Sequence, residues 1–301
     1  MVVRAIYERQ RTDKRLSVLW VVAIILVDII SVALSFVAMF WSYDFSDPYY
    51  TMDTSDFFAV GAVSNVAGVL STILLAAFVY YLVKRQNDHY AREARLRTAL
   101  LSLMSAAAWS PERTNDIVPE TMALSMARGP QEKHRNVWFW IFVILLPTIL
   151  SIVISLGLWL YIYAGPPQGD ISYSAIIGAL VLSLLMLLGY LILMLYLLYF
   201  LTQTMEEHDS RWNAFAYNVR RAMSKLGFPV GRSFRMNRLP EHSVALYVVL
   251  TIFTGIFIFY WYYVLVKDPN EHFDYQWEFE DNILSAIMPP EYVVTSSVSR
   301  P

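Results

Sequence analysis

Residues 16–41 read LSVLWVVAIILVDIISVALSFVAMFW, 26 residues that carry a single charge, Asp28. A helix crosses the roughly 30 Å hydrocarbon core of a bilayer with about 20 apolar residues. This stretch is long enough, and buried helices of soluble proteins rarely run so far with so little charge. Four further stretches, 57–83, 137–163, 171–201 and 243–266, contain no charged residue at all. Of the 23 basic and 25 acidic residues, only Asp28 lies inside the five. The chain is 57% hydrophobic and 16% charged, whereas soluble domains carry about 25% charge. The fold expected is all-α, a polytopic helical membrane bundle of five apolar segments.

The charges outside the spans are segregated. Residues 1–15, 84–136 and 202–242 hold 21 of the 23 Lys and Arg residues. The connector 42–56 has none, but carries Asp44, Asp47, Asp53 and Asp56. Basic loops stay in the cytoplasm, so the expectation is a plasma-membrane protein with a cytoplasmic N-terminus. The organisation that follows is a two-helix hairpin over 1–83 with spans 16–41 and 57–83, then a cytoplasmic helical connector over 84–136. A second hairpin occupies 137–201, with spans 137–163 and 171–201 joined by the tight turn Gly165–Gly169. A cytoplasmic amphipathic helix and loop fill 202–242, the fifth span 243–266, and an acidic tail with a helix 267–301. The tail, with two basic and seven acidic residues, is expected outside.

A repeated junction argues against that last placement. Lys84-Arg85-Gln86-Asn87-Asp88-His89-Tyr90 follows the second span, and Lys267-Asp268-Pro269-Asn270-Glu271-His272-Phe273 follows the fifth. Glu206-Glu207-His208-Asp209 after the fourth is a looser third copy. Counting from each histidine, Leu96, Phe215 and Phe279 stand seven residues on, and Leu100, Val219 and Ile283 eleven. Met104, Met223 and Ile287 stand fifteen on. These offsets trace one face of an α-helix. Each copy is thus a span, an acid–His junction and an amphipathic juxtamembrane helix, whose face packs on its own bundle, on the membrane interface or on a partner. If the third copy is also cytoplasmic, 243–266 must re-enter, and Thr254-Gly255 at its midpoint is where it would break. A simple crossing is the default expectation.

The fifth span reads Leu250-Thr251-Ile252-Phe253-Thr254-Gly255-Ile256-Phe257-Ile258-Phe259-Tyr260-Trp261-Tyr262-Tyr263. Its Thr-Gly-apolar-aromatic core followed by Tyr-Trp resembles the prokaryotic domain-of-unknown-function family numbered 4234, a small membrane-embedded family without an assigned activity. The resemblance covers about 30 residues, or up to 70 with the Asn270-Glu271-His272 segment. The basic–Ser pair expected upstream is His242-Ser243 here. The resemblance implies a membrane module and carries over no site residue.

Two constellations hold candidate chemistry. Asp28 lies mid-span, where an ionised carboxylate costs about 2.5–3.5 kcal/mol. Ser31, Ser35, Ala38 and Ser42 continue a small, polar stripe from it, and Gly61, Ser64, Gly68 and Ser71 form a matching stripe on the second span, with Asn65 beside it. Equal depth places Asp28 opposite Ser71 or Thr72. Such stripes glue helices together; an ion or solute site on a transporter or channel is the alternative use. All five histidines flank spans, and His89, His208 and His272, each preceded by an acid, could converge on a divalent metal. The chain has no cysteine, so disulfide and thiolate chemistry are excluded. No P-loop, nucleophile elbow, dinucleotide fingerprint or zincin motif occurs, and nothing points to nucleic acid. The function expected is a non-enzymatic scaffold in a lipid bilayer without a required cofactor, offering Leu96, Leu100, Phe215, Val219, Phe279 and Ile283 to a protein partner or a second copy. A metal-binding protein or metalloenzyme is a further alternative.

Overall fold

The computed structural model describes residues 1–41, 54–107, 132–164, 173–231 and 239–288. The acidic connector 42–53, the turn 165–169, the end of the tail and the side chain of Asn65 lie outside the described residues. Every element among those described is helical: α1 Val2–Tyr7, α2 Arg9–Thr12, α3 Leu19–Trp41, α4 Thr54–Ala107, α5 Val137–Ala164, α6 Tyr173–Lys225, α7 Val244–Thr254 and α8 Phe257–Ile287. By length and composition, α3, α4, α5 and α6 can each cross a membrane.

The chain divides into two units. One comprises residues 17–82 and 136–198: α3, the apolar part of α4, α5 and the first half of α6. Its helices turn large apolar side chains outward, among them Ile29, Phe36, Leu70, Phe142, Leu184 and Leu188, as lipid-facing helices do. Polar contacts between its helices are few. The Ser71 hydroxyl donates to the Asp28 carboxylate. Ser31 Oγ reaches the Ala67 carbonyl at 3.3 Å, and Thr72 Oγ1 meets Thr148 Oγ1 at 2.7 Å. The two stripes therefore meet, with Ser71 on Asp28 and Thr72 turned to α5.

The other unit comprises residues 1–16, 83–135 and 199–301. The polar ends of α4 and α6 pack with α8 around one apolar core. Leu96, Leu100 and Met104, Phe215, Val219 and Met223, and Phe279 and Ile283 are all buried there, with Ile287 packed against the edge. Trp212 meets Phe279 edge-on at 5.8 Å. The face expected to be offered to a partner is thus consumed internally. Three helices that share the same apolar spacing satisfy one another, which corrects that expectation.

The fifth apolar segment is also not one helix. α7 has 11 residues, about 16 Å at 1.5 Å per residue, half the thickness of a bilayer core. It ends at Gly255, whose φ of +65° suits glycine. Thr254 Oγ1 then accepts the Phe257 N–H at 3.2 Å, opening α8. The two helices fold against each other: the Tyr247 ring packs on Phe257, Tyr260 and Trp261 at 5.1, 5.9 and 5.5 Å. His242 closes the base, accepting from or donating to Tyr247 Oη and Asp268 Oδ2 at 2.7 Å each. In place of one continuous helix over 243–266 the segment forms a helical hairpin that brings α8 back to α4 and α6.

Candidate metal centre

α4, α6 and α8 bring His89, His208 and His272 together. Their rings form a nearly equilateral triangle, with centroids 5.1, 5.2 and 5.1 Å apart. All three are almost fully buried. Each Nδ1 faces a carboxylate: His89 to Asp13 Oδ1 at 3.1 Å, His208 to Glu132 Oε1 at 2.9 Å, and His272 to Asp209 Oδ1 at 2.7 Å. A carboxylate on Nδ1 fixes the proton there and leaves the Nε2 lone pair free to bind. The three ring atoms available as ligands lie within 4.8 Å of one another. His89 Nε2 and His208 Nε2 are 3.1 Å apart, and His272 Nε2 is buried without any hydrogen-bond partner.

A fourth donor completes the set. Glu93, one helical turn after His89, places Oε2 at 2.6 Å from His208 Nε2 and 3.8 Å from His89 Nε2. A tetrahedral ion with bonds of about 2.0–2.1 Å spaces its ligand atoms about 3.3 Å apart. The observed 2.6, 3.1 and 3.8 Å scatter around that value. Arg97 holds the other oxygen of Glu93, so the carboxylate is fixed on both sides.

The electrostatics favour the ligand form at His89 and Glu93 and the protonated form at His208. Burial pushes the His89 ring down, against the pull of Asp13, to about 4, which keeps it neutral. Burial pushes Glu93 up, but His208 and Arg97 overcome it and hold the carboxyl well below its usual range. Glu132 is likewise raised by burial and lowered more by His208 and Arg211, to about 2. For His208, burial is outweighed by Glu93 and Glu132, and the ring lies above its ordinary value.

The carboxylates on the rings are not those expected. Asp88, Glu207 and Glu271 precede the histidines but pair with Lys84, Arg211 and Lys267, because adjacent helix residues point about 100° apart. Asp13 and Glu132 come instead from the segments preceding α3 and α5. Asn87 anchors the second of these by bonding both N and O of Arg135 at 2.9 and 2.8 Å. Asn270 does the same to Leu16 at 3.2 and 2.8 Å. Arg135 and Leu16 each stand three residues after the acid they position. In the third segment the corresponding position is Leu239, and its N–H donates to Asp209 Oδ2 at 3.0 Å. Asp209 therefore serves His272 from α6. Of the remaining histidines, His134 is exposed and His242 belongs to the hairpin base.

Arg92 binds Asp13 through Nε and Nη2 at 3.1 and 2.6 Å, and Glu280 through Nη1 at 2.6 Å. One guanidinium thus faces two carboxylates, and they divide. Burial raises Asp13, but His89, Arg92 and Trp277 hold it down at about 2. Burial pushes Glu280 up to about 7, and the Asp13 charge adds to this against the pull of Arg92. A carboxyl raised in the folded state stabilises the fold while protonated. That contribution is present below its ordinary 4.5 and is lost as pH rises through about 7. Glu280→Gln is neutral at every pH. It is expected to match the wild type near pH 5 and to exceed it by up to about 3 kcal/mol above pH 8, at 1.36 kcal/mol per unit. Thermal melts at the two pH values check this, and a pH-independent difference would refute it.

Comparison with protein-family models, curated proteins and solved structures finds no match for this chain.

Proposed function

We propose that this chain is a membrane-embedded metal-binding scaffold. A divalent cation of the zinc class, held by His89, His208, His272 and Glu93, ties α4, α6 and α8 into one unit. The observation that carries this reading is the convergence, within 4.8 Å, of one ring nitrogen from each of three histidines whose Nδ1 atoms all face carboxylates. Three imidazoles and a carboxylate, with no thiolate in the chain, suit zinc and its neighbours in the first transition row. Four protein ligands fill a tetrahedron, as structural sites do, whereas catalytic sites keep a position open. Asp28, already engaged by Ser71, is assigned to holding α3 against α4 rather than to ion passage.

Protein purified without added metal or a histidine tag is expected to contain one such ion per chain by elemental analysis. Ligands must be deprotonated, so occupancy falls on acidification. Absence of any transition metal, with none taken up on titration, would sink the reading.

The basic bias of 1–15, 84–136 and 202–242 supports a cytoplasmic position for the unit that carries the site. The shared core of α4, α6 and α8 supports the end of α8 on that same side, with α7 re-entrant. Ser102 and Ser285 are both exposed, and the chain has no cysteine background. Single cysteines there are expected to react from the same side of sealed vesicles. Reaction from opposite sides would restore a crossing fifth span.

A further inference from the structure

A cation cannot reach the three histidines directly, because none exposes more than 1% of its surface. Of the carboxylates that touch the rings, Asp13, Asp209 and Glu93 are buried and Glu132 is partly exposed, and Asp13 and Asp209 stand outside the cleft that opens beside the centre. The other two, Glu93 and Glu132, line that cleft, whose walls include Tyr90, Ala91, Ala94 and His134. Both reach the same imidazole, Glu93 at His208 Nε2 and Glu132 at His208 Nδ1. Tyr90 stands where the cleft meets the centre. Its ring lies 4.5 Å from that of His208 and 5.7 Å from that of His89. Its hydroxyl is buried without a hydrogen-bond partner, as befits an oxygen that contacts an ion's water shell in passing. The wall is low on one side because Ala91 and Ala94 contribute only methyl groups.

Resting on the metal-binding reading above, we propose that this cleft is the port through which the divalent cation enters and leaves the centre. His134 and Glu132 receive the hydrated ion at the mouth. Glu93, which both lines the cleft and reaches the centre through Oε2, draws it inward as its waters are shed. The Tyr90 ring is the gate, since it must yield for the ion to pass His208.

The test separates rate from affinity. Zinc is stripped from the full-length protein in detergent by excess chelator and then restored, with both rates followed. Ala94→Trp fills the cleft from a half-exposed helical position, and Ala91→Trp does so from an exposed one, so a folding failure in one leaves the other. Either is expected to slow stripping and loading together by at least tenfold while zinc stoichiometry and dissociation constant stay unchanged. Tyr90→Ala is expected to speed both. Ser285→Trp, distant from the cleft lining, serves as the control. Unchanged rates in both tryptophan variants, at full occupancy, would overturn the port and leave the centre standing. Failure of the unmodified chain to bind zinc would remove the centre and the port together.

Discussion

Replacing His272 with alanine is expected to lower zinc affinity by two to three orders of magnitude and to shrink the effect of chelators on stability. Structural zinc sites bind with about 10–16 kcal/mol in all, so one ligand of four contributes roughly 3–4 kcal/mol. His272 is the cleanest of the four to remove. Its Nε2 has no other partner, and its carboxylate, Asp209, keeps the Leu239 N–H and the Asn213 amide at 3.0 Å each. Little besides metal binding is therefore lost. Asp209→Asn should weaken affinity more mildly, by about 10–100-fold, the usual effect of a group that orients a ligand. Bound metal raises the melting temperature in proportion to the logarithm of its excess over the dissociation constant. Chelator is thus expected to lower the wild-type melt by more than it lowers that of His272→Ala. A variant that retains one tightly held ion would show that the three imidazoles are not the site.

The histidines were legible because each sits at a fixed distance from an apolar stripe. The spacing of Leu96, Phe215 and Phe279 from His89, His208 and His272 is a local, helical signal, and helices with matching faces have one way to satisfy all three. The acids that serve the rings were not legible by that route. Asp13 and Glu132 belong to segments on the far side of whole apolar hairpins, and sequence adjacency pointed to Asp88, Glu207 and Glu271 instead. A long-range regularity marks the true pairs: Asp13 and Glu132 each precede their histidine by 76 residues. Nothing in the sequence singles out Glu93, which stands four residues before Arg97 on the same helix. Its place among the ligands follows only from the convergence of three helices. The fifth apolar segment shows a conflict between signals. Its length and the acidity of the tail favour a crossing, while Gly255 and the repeated junction favour a turn. Composition describes what a segment tolerates, but a glycine at positive φ next to a capping threonine fixes what its backbone does.

The buried triad around Arg92 carries the second large effect expected. Arg92 is fully buried, and among the described residues its guanidinium is the one strong donor common to Asp13 and Glu280. Arg92→Met keeps much of the volume and removes every charge-assisted bond. It leaves Asp13 with the His89 ring and the Trp277 N–H, and Glu280 with the Gln276 amide and Arg9 at 3.5 Å, and breaking buried ion pairs costs about 3–5 kcal/mol, a large share of the roughly 5–15 kcal/mol that holds a typical domain folded. The two acids respond differently. Glu280 relaxes by keeping its proton, as its raised value already inclines it to do. Asp13 cannot relax without releasing His89, because the same oxygen, Oδ1, serves the His89 ring and Arg92 Nε. Loss of Arg92 therefore reaches the metal centre through Asp13, and affinity is expected to fall by about 10–100-fold. Arg92→Met combined with Glu280→Met is expected to recover part of the stability, since one of the two buried acids is gone, but none of the affinity. Thermal unfolding by circular dichroism and zinc titration of both variants separate the two effects. Recovery of affinity along with stability would mean that Glu280, not Asp13, couples the triad to the site. A single variant within 1 kcal/mol of the wild type would remove the triad from the account of what holds these helices together.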